Sequence, residues 1–172
     1  MTSSNAEPGS AVPAGDPSFA DLQIHPSVLQ AVVDVGYETP SPIQAATIPA
    51  MMAGSDVVGL AQTGTGKTAA FAIPILSKID TSSRITQALV LAPTRELALQ
   101  VAEAFSRYGA HLPVNVLPIY GGSPYGPHTA GVKPGPPVVV VTPRRVIDHP
   151  EKGSLALPPP VSPVLYDADQ MV

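Results

Sequence analysis

Ala61-Gln62-Thr63-Gly64-Thr65-Gly66-Lys67-Thr68 is the stretch on which the fold turns. It follows the apolar run Asp56-Val57-Val58-Gly59-Leu60, which reads as a buried strand, and it opens a segment from Lys67 to Lys78 that reads as a helix. A strand, a glycine-threonine loop and a helix in that order form a cradle for phosphate. Gly64 and Gly66 allow backbone angles that turn several N–H groups inward around phosphate oxygens. The helix N-terminus adds the positive end of its dipole. Lys67 reaches the outer phosphates of a nucleotide, and the Thr68 hydroxyl is a ligand for Mg2+. Ala61 stands where the general pattern has its first glycine. The bland alternative is a glycine loop that binds nothing. The complete order of strand, loop, Lys-Thr and helix weighs against it.

The alternation continues on both sides of the loop. Upstream, Pro26 to Val35 carries Val28, Leu29, Val32 and Val33 at helical spacing, and Gly36 is placed to stop the helix. Ser41 then caps a second helix, with Pro42 at its first position, running to Met52. Downstream, Ala88 to Ala92 is an apolar run of strand length, and Thr94 to Gly109 is helix-patterned with Leu97, Val101, Ala104 and Phe105 on one face. Leu99 reads as core as well, and Glu96 as a capping-box acid at the third helical position. Val114 to Tyr120, Val138 to Val141 and Val164 to Tyr166 read as further strands. Alternating strands and helices with continuous apolar strands predict an α/β domain, a mostly parallel sheet with helices on both faces.

The 172 residues fit one domain, with a net charge of −4 from nine Lys/Arg against 13 Asp/Glu. A chain holding nucleic acid by electrostatics alone is usually basic, so any phosphate contact here must be local and geometric. With no cysteine there is no disulfide, thiolate metal site or Cys nucleophile. Residues 1–18 read as a disordered lead-in without the features of a signal peptide, and a soluble cytoplasmic protein is expected. His25, His111, His128 and His149 show no ligand spacing and read as surface or packing residues. Proline is in excess: 22 residues, eleven of them within 121–172.

Further motifs fall into order around the loop. Phe19 precedes GYETPSPIQ at 36–44, PTRELALQ fills 93–100, Gly121-Gly122 follows a strand, and TPRRVID fills 142–148. This arrangement resembles the first RecA-like domain of DEAD-box ATP-dependent RNA helicases, most of all the bacterial cold-shock type. The resemblance runs from Phe19 to the C-terminus and is most specific up to Gly122. It implies an adenine-specific site in which Gln44 reads the base edge as donor and acceptor, Tyr37 packs beside the base and Phe19 covers it. The plainer reading of Gln44 and Tyr37 is a capped helix start and a core tyrosine. It also implies RNA contacts by Pro93, Thr94, Arg95, Gly121, Gly122, Thr142 and Arg145, directed at the backbone and weakly sequence-specific. ATP and Mg2+ are the implied cofactors, with Lys67, Asp167 and Asp169 catalytic and Thr68 and Asp169 at the metal.

The chain departs from that family in its last third. Tyr166-Asp167-Ala168-Asp169 stands where the family's Walker B motif has Asp-Glu-Ala-Asp. Tyr166 is no acid at neutral pH, and Asp167 is one methylene shorter than the Glu that positions the attacking water. ATP binding with impaired hydrolysis is therefore expected. Arg144 replaces a glycine, Pro150 interrupts an expected helix, and prolines at 134, 136, 137, 158–160 and 163 crowd expected helices and a central strand. Residues 19–172 read as the helicase ATP-binding domain, incomplete after Walker B, and the family's second RecA-like domain is not part of the chain. The function expected is ATP-dependent RNA unwinding, of which this chain is the ATP-binding domain. The alternatives are a catalytically inactive nucleotide- or RNA-binding fragment and, against GYETPSPIQ and PTRELALQ, an unrelated P-loop ATPase.

Overall fold

The computed structural model describes residues 15, 17–62, 64, 66–122, 135–146, 162–168 and 171. A short 3-10 turn, Phe19–Leu22, leads into α1 (Pro26–Asp34), α2 (Pro42–Met52) and α3 (Lys67–Lys78). Then β1 (Ala88–Leu91), α4 (Arg95–Tyr108), β2 (Val116–Ile119), β3 (Val138–Val141) and β4 (Ser162–Leu165) follow.

Local chemistry sets the helix starts. Pro26 occupies the first turn of α1, and the His25 ring accepts a hydrogen bond from the Ser27 N–H at 3.1 Å. In α2, Ser41 and Gln44 form a reciprocal capping box behind Pro42. Thr94 caps α4 through its hydroxyl, which accepts from the Leu97 N–H at 3.2 Å. Glu96 is thus the second helical residue, one position short of a capping-box acid. Pro49 and Pro74 sit inside α2 and α3, where each removes one backbone donor.

The four strands form one parallel sheet in the order β2-β3-β1-β4. Successive residues of each strand face opposite sides. Ala88, Val90, Val138 and Val140 join Val28, Ile73, Val101 and Phe105 in the larger core beneath α1, α3 and α4. Leu89, Val139, Val141 and Ile119 form a smaller cluster on the other face, where Val146 of a helical turn at 143–146 packs. All four residues of β3 are buried, as expected for a strand covered on both faces.

Three further expectations fail. Residues 56–60 form no strand, and Val58 and Leu60 are 94% and 93% exposed. Apolar composition suits a strand only if a neighbour offers a ladder, and among the described residues none pairs with this run. It faces the outer edge of β4 across a cavity of about 1590 Å³ lined by 54–62 and 162–168. Leu99, expected in the core, is 37% exposed, because α4 turns that position away from the sheet.

Third, Pro163 does not obstruct a central strand, because β4 is an edge among the described strands. The N–H groups of Ser162 and Tyr166 donate to Gln87 and Leu91 at 2.9 Å. Alternation then points the Pro163 nitrogen away from β1, where no ladder bond is lost. Pro118 sits in β2, the opposite edge strand, in the same way. Pro137 ends in a carbonyl that accepts from both Gln87 and Ala88, at 2.8 and 2.9 Å. Pro134, Pro150 and Pro158 to Pro160 lie outside the described residues, as do His128 and His149.

These exposures separate two apolar residues by stability. Phe105→Ala is expected to cost about 3–5 kcal/mol, and Val58→Ala no more than about 0.5 kcal/mol. Urea denaturation of both variants checks this. A Val58 cost of core size would mean that 56–60 is a packed strand in solution.

Candidate nucleotide site and RNA face

Because the strands are parallel and in register, their carboxyl ends lie along one side of the sheet, where α/β proteins place ligands. Four loops meet there: Pro93-Thr94 after β1, Tyr120 to Gly122 after β2, Thr142 to Arg145 after β3, and Tyr166-Asp167 after β4.

The phosphate loop lies beside the last of these. Gly64 and Gly66 have φ of +83° and +81°, the left-handed backbone the sequence calls for, and Gly66 is the N-cap of α3. Lys67 and Asp167, 100 residues apart, form an ion pair at 2.9 Å, both mostly shielded from solvent. Asp167 itself has a left-handed backbone, φ +50°, which aspartate tolerates better than most residues. The Lys67 ammonium lies 5.6 Å from the centre of the Tyr166 ring, and that ring tilts against Phe71 at 5.7 Å. Phe71 in turn meets Phe105, so Tyr166 is anchored to the core. Thr68 is half-buried in the first turn of α3. Ala61 and Gln62 lead in without regular structure, and Thr63, Thr65 and Asp169 lie outside the described residues.

Gln44 ties α2 to this loop. Its side chain is 4% exposed, its carbonyl accepts from the Ser41 N–H at 3.0 Å, and its amide N–H donates to the Gly66 carbonyl at 3.2 Å. The capping role expected from the plainer reading is present, and the same amide reaches the phosphate loop. A Cβ on residue 66 would stand 2.2 Å from the Gln44 amide nitrogen, so the end of that side chain would have to shift, in addition to the strain of the left-handed backbone.

Phe19, Tyr37 and Tyr108 form an aromatic row with ring centres 6.2 and 6.3 Å apart. Phe19 is buried in the core and Tyr37 is the exposed member. The Tyr108 hydroxyl hydrogen-bonds that of Tyr37 at 3.4 Å. Burial, reinforced by that bond, raises the Tyr108 pKa above that of an ordinary phenol.

The first three loops form a second cluster. Arg95 is exposed at the first position of α4, with its guanidinium carbon 4.8 Å from the Tyr120 ring centre. Gly121 and Gly122 are exposed beside it. Thr142 and Arg145 are buried instead: the Thr142 N–H donates to Ile119 and its carbonyl accepts from the Arg145 N–H. Pro93 is half-buried at the mouth of β1. The Tyr120 contact and the Lys67–Asp167 pair escaped the sequence, since both join residues from different loops. His111, read as an ordinary surface residue, pairs with Asp34 and lowers the pKa of that carboxyl.

Among the described residues no group of three acidic, His or Cys side chains could hold a metal by itself. Of the two residues implied at the metal, Thr68 lies next to Lys67, and its hydroxyl suits Mg2+ shared with phosphate oxygens. No helix among the described residues is long and apolar enough to cross a membrane.

A parallel sheet bearing a Gly-Lys-Thr helix start opposite an acidic residue at its carboxyl edge defines a P-loop domain of the RecA-like class. Comparison with known sequences narrows this. The chain belongs to the DEAD/DEAH box helicase family, whose profile matches residues 41–158. It is 69% identical over 156 residues to the ATP-dependent RNA helicase DeaD of Mycobacterium tuberculosis, and 49% identical to that of Escherichia coli K12. Each alignment covers 90% of this chain, but only 28% and 25% of the two relatives. A DEAD box protein crystal structure from the hyperthermophile Methanococcus jannaschii matches with a TM-score of 0.84 at 35% identity, over 90% of this chain and 42% of that one.

The Gln44–Gly66 contact makes a prediction. Gly66→Ala is expected to cost about 1–2 kcal/mol from its left-handed backbone, plus the clash with Gln44. The Gln44→Ala, Gly66→Ala double variant should cost less than the sum of the singles, by about 0.5 kcal/mol or more. Additive costs in thermal unfolding would show that the two residues do not touch.

Proposed function

We propose that this chain is the ATP-binding domain of an ATP-dependent RNA helicase, in which ATP and RNA binding are coupled across a second RecA-like domain. Lys67 and Asp167 at the N-terminus of α3 are the observation that carries this reading.

The nucleotide phosphates bind to N–H groups of the loop and of the first turn of α3. Lys67 then exchanges Asp167 for phosphate oxygens, a charge-assisted contact with a more highly charged partner. Thr68, with Asp169, would hold Mg2+, which when bound offsets charge on the outer phosphates. The released Asp167 faces the phosphates as base or water-positioning group. Adenine is read by the Gln44 amide, which gives up Gly66 or Ser41 to do so, beside Tyr37. Phe19 supports Tyr37 from within the core. RNA lies over the loops after β1, β2 and β3, held through its backbone. Thr94 and Arg95 serve it from α4, and Gly121-Gly122 from the next loop, beside Pro93. Thr142 and Arg145 shape the loop after β3. The site of action is the cytoplasm.

Tyr166 favours a second reading, a domain that binds nucleotide and RNA but hydrolyses slowly. Its ring packs on Phe71 and flanks Lys67, where the family has the acid that orders the metal. A displacement on the order of 1 Å can cost about 100-fold in rate.

Fluorescence titration with a labelled ADP tests the site. Lys67→Ala should weaken binding about tenfold or more, the worth of a hydrogen bond to a charged group. Asp167→Asn should tighten it about two- to fivefold by removing the competing ion pair; weaker binding would mean that Asp167 helps to hold the nucleotide. Separately, Tyr166→Asp should raise RNA-stimulated phosphate release by the full-length protein about tenfold or more. No gain would place the defect elsewhere.

A further inference from the structure

Arg95 breaks a local rule. It occupies the first position of α4, where the helix dipole presents its positive end and disfavours a cation. Among the described residues it forms no ion pair with a carboxylate. What it does have is Tyr120, whose ring face lies 4.8 Å beneath the guanidinium carbon. The negative face of an aromatic ring attracts a cation and also fixes the plane of a guanidinium stacked upon it. Gly122 is a second neighbour: a Cβ at residue 122 would lie 3.8 Å from the Arg95 Nη1, an ordinary contact distance, and Gly122 has φ +83°, which favours glycine there. Arg95 thus rests on an aromatic floor beside a glycine turn, and it is exposed to solvent.

We propose that Tyr120 is a positioning residue for RNA binding: its ring holds the Arg95 guanidinium so that its donors face an RNA phosphate over Gly121-Gly122. This rests on the RNA face proposed above. In this arrangement Tyr120 acts through Arg95, whose guanidinium lies over its ring. A cation presented by an aromatic ring retains its full charge, whereas a carboxylate partner would neutralise it. One oriented arginine then serves where the acidic chain has no basic patch.

The experiment measures binding of fluorescein-labelled oligouridylate by the 172-residue chain at several KCl concentrations. Arg95→Ala should weaken binding and reduce the slope of log affinity against log salt by about 0.7, the value of one single-strand phosphate contact. Tyr120→Leu should weaken binding about two- to fivefold with the slope unchanged, since the charge remains. Tyr120→Phe should restore wild-type affinity. The Arg95→Ala, Tyr120→Leu double variant should bind no worse than Arg95→Ala alone. Labelled-ADP affinity and melting temperature should stay the same in all four. A Tyr120→Leu variant that binds like wild type overturns the proposal. So does a double variant weaker than Arg95→Ala, which would mean that Tyr120 touches RNA directly. If Arg95→Ala leaves binding unchanged, or the wild-type chain does not bind, the RNA-face reading itself fails and takes the proposal with it. The Arg95 side-chain N–H resonance gives an RNA-free check: Tyr120→Leu should remove its ring-current shift and Tyr120→Phe should keep it.

Discussion

The pairing of β1 with β3 on one side and β4 on the other is the constraint on which the site depends. Leu91 stands opposite Val141 and Leu165, so three strands end at the same height. The loops that leave them open onto one edge, and α3 and α4 present their N-termini to it. Asp167 reaches Lys67 only because β4 ends beside the start of α3. A slip of one residue in β4 would move Tyr166 to the face where Leu165 now lies and carry Asp167 away from Lys67. The geometry of the loop edge and the sheet register are in this sense one property.

Around that edge, several side chains serve two elements at once. Gln44 caps α2 and holds the phosphate loop. Tyr166 ends the β4 ladder through its N–H, packs on Phe71 and flanks Lys67. Tyr37 bridges Phe19 and Tyr108. Such shared roles couple nucleotide binding to core packing, so substitutions here change stability and affinity together. The tyrosine that stands in place of the family's acid is intelligible as packing: its ring fills the space beside Phe71.

Much of the fold was legible because its signals are local. Proline and Ser/Thr placement marked the starts of α1, α2 and α4, and Gly64 and Gly66 have the left-handed angles the phosphate loop requires. The four-valine run became the fully buried β3. The misread strand and the misjudged proline are non-local. Val58 and Leu60 are apolar enough for a strand, but a strand exists only where a partner offers its backbone. Pro163 looked wrong for a central strand and fits an edge one. Leu99 shared the composition of its neighbours on α4 but not their face. In the site, the phosphate loop and Gln44 were visible as motifs. The Lys67–Asp167 ion pair and the aromatic floor under Arg95 were not, because each joins side chains from separate loops.

By itself, the sequence determined which segments are helices, where they begin, and that the chain carries a phosphate loop within a DEAD/DEAH box helicase pattern. These follow from residue spacing and backbone angles within about ten positions. Only the tertiary structure decided which apolar runs pair, which prolines are harmless, and that Asp167 neutralises Lys67 while Tyr120 seats Arg95. A hydrogen-bond ladder, an ion pair and a ring contact each need two partners brought together in space, and the order of residues along a chain does not state that distance.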